Sequence, residues 1–144
     1  MKITVIDGQG GSLGNSLVKE IKQRYSKLTV LAIGTNGIAT SNMLKAGADA
    51  IATGENPVIV ACRNSDIIIG PMGILIADAL HGEITPKMAT AIGQSNAQKI
   101  IIPLTKCNVL IAGTEKIGLD MLIRDAMALL KEQLASLDPA GHYL

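Results

Sequence analysis

The start of the chain passes directly from an apolar run into a glycine-rich turn. Residues 3–6 read Ile-Thr-Val-Ile, and residues 7–15 read Asp-Gly-Gln-Gly-Gly-Ser-Leu-Gly-Asn. This pattern predicts a strand that leads into the first turn of a helix, where backbone N–H groups and the helix dipole favour a phosphate. Gly8, Gly11 and Gly14 fit Gly-x-x-Gly-x-x-Gly, a variant of the dinucleotide fingerprint. The strict Gly-x-Gly-x-x-Gly pattern is not matched, because position 13 is Leu.

The composition predicts one domain with an aliphatic core. The chain has 144 residues, of which 48% are hydrophobic and 17% charged, and it contains no Phe or Trp. This composition is typical of strands covered on both faces by helices. So few charges on a small protein also predict apolar surface that a second subunit covers, so we expect a homo-oligomer and favour a dimer.

Charge and cysteine usage exclude several classes of protein. The net charge is +1, without a basic cluster or aromatic stacking platform, so nucleic acid is not an expected partner. No apolar stretch is long enough to span a bilayer, and we expect no membrane partner. Because the predicted first strand begins at Lys2, we expect no signal peptide. The two cysteines, Cys62 and Cys107, fit a reducing cytoplasm better than a disulfide framework.

Apolar runs and helical periodicities alternate along the chain, which predicts an α/β, Rossmann-like, doubly wound sheet in three layers. The expected order is 3-2-1-4-5, with right-handed crossovers. Only four residues separate the fifth and sixth apolar runs, so the sixth strand should lie antiparallel at the edge. The predicted strands are 2–7, 28–33, 48–53, 66–70, 99–104 and 109–112.

The predicted helices complete a single Rossmann-like domain over residues 1–144. Asn56-Pro57 and Thr85-Pro86 each combine a capping residue with proline at the first helical position, so each should start a helix. The last element should be a long amphipathic helix with an apolar stripe from Leu119 to Leu134. The predicted helices are 11–26, 38–46, 57–63, 74–80, a segment from 85 to about 93, and about 115–136.

The predicted ends of the strands are rich in Gly, Thr and Asn. Parallel sheets of this type bind ligands outside the carboxyl ends of their strands, where the strand order reverses. We therefore expect a polar crevice there, although turn geometry and helix capping alone also favour these residue types. The candidate ligand-binding residues are Gly8, Gln9, Gly10, Gly11, Ser12, Gly14, Thr35, Asn36, Glu55, Asn56, Gly70, Pro71, Met72 and Gly73.

The end of the second strand does not match a standard dinucleotide site. Such sites usually carry Asp or Glu there to bind the ribose hydroxyls, whereas this chain has Gly34, Thr35 and Asn36. Two alternatives follow. The ligand is NAD(P) or another nucleotide held in an atypical way, or it is a smaller phosphorylated molecule.

Few residues are candidates for chemistry. Cys107 lies next to Lys106, whose ammonium would favour a reactive thiolate, but a buried, unreactive cysteine in a tight turn is the favoured alternative. Asp7 is either an acid–base group or a cap of the glycine loop, and Glu55 either accepts a ligand hydroxyl or is simply solvated. The spacing of Cys107 from His81 and Glu83 predicts no metal site.

Several motifs resemble a small, Rossmann-like family of unknown function from anaerobic bacteria. The resemblance covers residues 1–113 and implies a fold but no reaction. The glycine loop is also similar to that of extended short-chain dehydrogenases, but the Tyr-x-x-x-Lys pair of those enzymes is missing. The motifs are Asp-Gly-Gln-Gly-Gly at 7–11, Gly-Thr-Asn at 34–36, Ala-Thr at 39–40, Met-Leu-Lys-Ala-Gly-Ala-Asp at 43–49, Thr-Gly-Glu-Asn at 53–56, Gly-Pro-Met-Gly at 70–73, Gly-Glu-Ile-Thr-Pro at 82–86, Ile-Pro-Leu at 102–104 and Cys-Asn at 107–108.

Three functional hypotheses remain open from the sequence. The first is a protein that binds a nucleotide or other phosphorylated ligand at the glycine loop. The second is a small NAD(P)-dependent or cysteine-dependent enzyme. The third is a structural subunit whose C-terminal helix docks a partner while the glycine loop stays empty.

Overall fold

The computed structural model describes residues 1–104, 108–114 and 117–144. They form an α/β fold around a five-stranded parallel sheet with the order β3-β2-β1-β4-β5, which confirms the predicted order. Ile3, Val5 and Ile6 on the central strand are fully buried, since helices cover both faces. The strands are β1 (Lys2–Asp7), β2 (Thr29–Gly34), β3 (Ala50–Thr53), β4 (Ile67–Pro71) and β5 (Gln98–Ile102).

Helices connect consecutive strands, and their starting points follow local sequence signals. The side chain of Asn36 caps α2 by accepting from Ala39 N at 2.9 Å. Thr85 caps α4 by accepting from Met88 N at 3.2 Å, and Pro86 opens that helix as predicted. The helices are α1 (Ser12–Arg24), α2 (Gly37–Lys45), α3 (Glu55–Cys62), α4 (Pro86–Gln94) and α5 (Leu119–Leu137).

Alternating strand residues separate two hydrophobic clusters, so the fold has three layers. On one face, Ile3, Val5 and Ile69 pack with the buried sides of α1, α2 and α5. On the other face, Ile6 and Ile68 pack with α3 and α4. Cys62 belongs to the second cluster, as expected for a core cysteine, and burial raises the pKa of its thiol. No described helix has the length and apolar character needed to cross a membrane.

The predicted sixth strand, 109–112, is wrong. Residues 108–114 contain no strand, and Leu110 is 99% exposed. Asn108 and Val109 instead lie beside residues 76–81 at the carboxyl edge of the sheet. The hydroxyl of Thr114 donates to the carbonyl of Ile111 at 2.8 Å. This local bond bends the chain, and an edge strand would need extended backbone with alternating burial.

Two helix predictions also need correction. The predicted 74–80 helix does not form, and only a short 3₁₀ turn, Met72–Leu75, overlaps its start. Asp78, Leu80 and His81 have φ values of 63°, 56° and 57°, and this left-handed backbone is incompatible with a right-handed helix. The other correction concerns α3, which begins at Glu55 after Gly54. Asn56 therefore lies inside the helix and is not its cap.

The C-terminal helix agrees with the predicted periodicity, although it begins at Leu119 and not near residue 115. Its apolar stripe packs on the core of the same chain. Leu119, at the start of the stripe, is exposed. The buried members are Leu122, Ile123, Ala126, Met127, Leu130 and Leu134.

Gly70 lets β4 approach β1 closely, so Gly70→Ala should be destabilising. A Cβ at this position would overlap the backbone carbonyl oxygen of Ile6 and lie 2.8 Å from Ile74 Cδ1. We expect the free energy of unfolding, measured in urea, to fall by about 1–3 kcal/mol, as overpacking usually causes. Gly93→Ala is the control because its Cβ meets nothing within 4 Å and lies in α4. That change should leave stability equal or higher, and equal losses for both variants would contradict the packing argument.

Candidate functional site

The site begins with Asp7, the last residue of β1, which organises the glycine loop. Its side chain is only 6% exposed. One carboxylate oxygen accepts from Gly8 N at 2.8 Å, and the other accepts from Gly14 N at 2.7 Å in the first turn of α1. The sequence predicts Asp7 to be either an acid–base group or a cap of the glycine loop, and these two hydrogen bonds are typical of a cap. Charge-assisted bonds of this kind are stronger than neutral ones, so they fix the loop relative to the helix.

The glycines of the loop allow the backbone of α1 to pack tightly against its neighbours. Gly11 precedes α1 with a φ of 71° and has no side-chain cap. A Cβ there would lie 2.5 Å from the Cα of Ala39 in α2. A Cβ at Gly14 would lie 2.5 Å from the sulfur of Met43. Packing alone therefore requires glycine at positions 11 and 14.

A small cavity lies between the glycine loop, the end of β4 and the segment after β5. Its volume is about 90 Å³. Among the described residues, the N–H groups of Gly10, Ser12 and Leu13 have no hydrogen-bond acceptor. The N–H groups of Ser12 and Leu13 belong to the first turn of α1 and are of the kind that a helix start offers to an anion, whereas Gly10 lies in the loop just before it. The lining residues are Asp7, Gly8, Gln9, Gly10, Gly11, Ser12, Leu13, Pro71, Gly73, Leu80 and Leu104.

Beside this cavity, Glu83 reaches from a loop to the carboxyl ends of β1 and β2. Its Oε2 accepts from Gln9 N at 2.8 Å and from the hydroxyl of Thr35. Its Oε1 accepts from Gln9 Nε2 at 3.1 Å. Asn36 Nδ2 lies 3.2 Å from both oxygens and also donates to Gln9 O at 2.9 Å. A carboxylate has about four acceptor positions, so this one is close to saturated.

The hydrogen bonds to Glu83 stabilise its ionised form. Burial acts to raise the pKa of the Glu83 carboxyl group. The bonds from Thr35, the Gln9 backbone and Asn36 outweigh burial, so the pKa lies below the ordinary value of 4.5. His81 nearby acts in the same direction on this pKa. A carboxylate at this position is therefore an anion at neutral pH.

The structure brings together only part of the predicted site. Gly8, Gln9, Gly10, Gly11, Ser12, Pro71 and Gly73 line the cavity. The N–H of Gly14 is taken by Asp7, while Thr35 and Asn36 bind Glu83. The remaining predicted residues, Glu55, Asn56, Gly70 and Met72, do not line the cavity. The predicted Cys107, with Thr105 and Lys106, lies outside the described residues.

Sequence reasoning missed Glu83, Leu80 and Leu104 as members of this region. Glu83 lies just after the predicted 74–80 helix and has no predicted role in ligand binding. No local signal indicates its contact, although it belongs to the motif Gly-Glu-Ile-Thr-Pro at 82–86. Only the fold shows that this turn contacts the first and second strands. The described residues hold no group of three or more His, Cys, Asp or Glu side chains suited to a metal ion.

Comparison with protein families assigns the chain to a family. A family model described as Domain of unknown function (DUF3842) matches residues 2–135. The chain belongs to this family. No curated protein matches the chain.

Two solved structures match this chain, and only the first of these matches supports a similarity of fold. One is a dodecameric FMN-dependent UbiX-like decarboxylase from Escherichia coli O157:H7, with 13% identity and a TM-score of 0.54, covering 94% of this chain and 95% of that one. The other is a probable oxidoreductase from Mycobacterium abscessus, with 17% identity and a TM-score of 0.46, covering 94% of this chain and 41% of that one. At such low identity, the first similarity shows a Rossmann-like fold alone.

The lowered pKa of Glu83 predicts a specific pH dependence of stability. An acidic group whose pKa is lower in the folded state than in the unfolded state stabilises the fold at pH values above its unfolded-state pKa. This stabilisation is lost as the pH falls through the folded-state pKa. The wild type should therefore exceed Glu83→Gln in stability by a constant margin between about pH 6 and 8. The margin should shrink below the ordinary value of 4.5.

Urea unfolding at several pH values measures this margin. Glu132→Gln, the same change at an exposed position of α5, is the control and should show no such margin. A margin that stays constant or grows below the ordinary pKa would contradict the assignment.

Proposed function

We propose that this protein binds a nucleotide or another phosphorylated ligand through the glycine loop. The observation that carries the proposal is the cavity of about 90 Å³ at the start of α1. Three backbone N–H groups of its lining, those of Gly10, Ser12 and Leu13, have no acceptor among the described residues. A phosphate would accept from these groups and interact favourably with the dipole of α1.

The size of the cavity limits which part of a ligand it would hold. Sites for whole cofactors usually measure about 300–1,000 Å³, whereas this cavity is about 90 Å³. We therefore assign it to a single phosphoryl group. The rest of a nucleotide would lie along the carboxyl edge of the sheet, near the predicted residues Thr35 and Asn36.

Two considerations guide the choice of nucleotides to test. The glycine loop is similar to that of extended short-chain dehydrogenases, which favours NAD(P). The fold is similar to that of an FMN-dependent enzyme, which adds FMN to the candidates. The cysteine-dependent alternative stays a prediction, because Cys107 lies outside the described residues.

We also retain the expected homo-oligomer, with a dimer favoured, as a proposal. Exposed apolar side chains such as Ile38, Met121 and Leu129 support it. The hypothesis of α5 as a docking helix is less well supported, because its apolar stripe is buried in the core of the same chain. The cytoplasmic location stays a prediction from cysteine usage.

Gly10→Asp is a direct test of the proposed phosphate site. Gly10 is exposed, and a Cβ there meets nothing within 4 Å, so the fold should tolerate a side chain. A carboxylate about 6 Å from a phosphate costs roughly 3 kcal/mol at an effective dielectric constant near 20. We therefore expect affinity for inorganic phosphate, FMN or NAD(P), measured by calorimetry, to fall by about 100-fold.

Gly10→Asn is the matched control, since it has the same shape without the charge and should keep most of the affinity. Gly11→Asp is a poorer test because the contact with Ala39 would disturb the fold itself. Wild-type binding of a nucleotide at about 100 times its dissociation constant should add roughly 2.7 kcal/mol of stability. Equal affinities for the Asp and Asn variants would place the ligand elsewhere.

A further inference from the structure

The loop that carries Glu83 is strained at its tip and anchored at its base. Asp78 N donates to Ile84 O at 2.7 Å, and both Ala79 and Ile84 are buried in the second core cluster. Between these anchors, residues 80–83 form what we call the tip. Leu80 and His81 are left-handed, with φ values of 56° and 57°, and Gly82 has a φ of 85°. Left-handed backbone is unfavourable for residues other than glycine, so contacts of the tip must offset it.

The contacts that hold the tip converge on polar donors of the glycine loop and β2. Glu83 accepts from Gln9 N, the Thr35 hydroxyl and Asn36 Nδ2. The carbonyl of Leu80 accepts from Gln9 Nε2 at 3.1 Å. Gly8 leaves the space that the carboxylate fills, because a Cβ there would lie 2.6 Å from Glu83 Oε2 and 2.7 Å from Leu80 Cδ1.

These donors adjoin the cavity proposed for a phosphoryl group. Gly8 and Gln9 line the cavity and also contact the tip, and Leu80 forms part of both. A carboxylate this close to saturation has little acceptor capacity left for a ligand hydroxyl. Glu83 therefore does not fit the role of a ribose-binding acid in this conformation. Its carboxylate instead occupies a position in which another anion would find the same donors.

We propose that Gln9 N, Thr35 and Asn36 form a second anion subsite, in which the Glu83 carboxylate takes the place of an anionic group of the ligand. The inference rests on the proposed function, because the first phosphoryl group occupies the adjacent cavity. The ligand class is a molecule with two neighbouring anionic groups, such as a diphosphate. Its second group displaces Glu83, the tip moves away, and the departure of Leu80 enlarges the cavity.

The test compares inorganic phosphate with pyrophosphate, and its readout is the ratio of the two affinities. Glu83→Gln removes the competing charge and keeps the side-chain shape. We expect it to tighten pyrophosphate by about tenfold, since charge-assisted bonds are replaced by weaker neutral ones and the open form becomes more populated. Affinity for phosphate should change by less than about threefold. Calorimetry on the full chain measures both.

Gly82→Ala provides a second variant that leaves the donors and the carboxylate intact. Its Cβ meets nothing within 4 Å, so the change only strains the closed tip at a φ of 85°. Pyrophosphate should bind about threefold to fivefold more tightly, because the closed form is disfavoured. Gly141→Ala is the matched control. Gly141 also has a positive φ, 71°, and a Cβ there meets nothing within 4 Å, but it lies near the end of the chain and not in the tip. It should leave both affinities unchanged.

Hydrogen exchange supplies an independent readout of the tip. In the closed form, Gly82 N donates to Asp78 O at 3.1 Å and Glu83 N donates to Leu80 O at 3.2 Å. Pyrophosphate should speed exchange in the peptide that contains residues 80–83, whereas phosphate should leave it unchanged.

The outcomes separate this inference from the proposed function. Phosphate binding that is absent, or insensitive to Gly10→Asp, overturns the proposed function and this inference with it. Phosphate binding that behaves as proposed, with a pyrophosphate-to-phosphate ratio unchanged by Glu83→Gln and Gly82→Ala, overturns the second subsite alone. An equal gain for both ligands also overturns it, because removal of nearby negative charge then explains the effect. Exchange at 80–83 that slows with pyrophosphate contradicts displacement of the tip.

Discussion

The buried carboxylate of Asp7 holds the backbone of the glycine loop against the start of α1, and the neighbouring geometry depends on this contact. Its two oxygens take the N–H groups of Gly8 and Gly14, so the end of β1 and the first turn of α1 share one anchor. Gly11 then brings α1 within contact of the α2 backbone. Because the protein itself holds these groups in place, Gly10, Ser12 and Leu13 come together in the lining of one small cavity, and their N–H groups have no acceptor among the described residues.

The same loop takes part in two polar systems that lie side by side. On one side are the N–H groups of Gly10, Ser12 and Leu13, without acceptors among the described residues. On the other side, Gln9 is itself left-handed, with a φ of 52°, and donates from its backbone and side chain to Glu83. Strained backbone that persists opposite a polar cluster is common at functional sites. The strain on both sides of this contact therefore supports the proposal that a ligand binds here.

Local signals in the sequence were reliable where they described contacts between near neighbours. Thr85 and Pro86 start α4 as expected, because a cap and a restricted φ act within one turn. The same logic failed at Asn56, since Gly54, with its positive φ, had already allowed α3 to begin two residues earlier than predicted, at Glu55. The apolar run at 109–112 also failed as a strand. Hydrophobicity alone does not supply a partner strand, and residues 108–114 form no strand.

The sequence by itself determined the alternation of strands and helices, the parallel order of the sheet and the position of the glycine loop, because these follow from periodicity, short connections and chirality. It also placed Gly8, Gln9 and Gly10 at the edge where the strand order reverses. Only the tertiary structure decided that Glu83 lies against them. Gln9 and Glu83 are 74 residues apart, and their contact depends on how a left-handed loop after β4 packs over β1 and β2. No local pattern specifies such a contact, since the energy that fixes it comes from donors brought together by the whole fold.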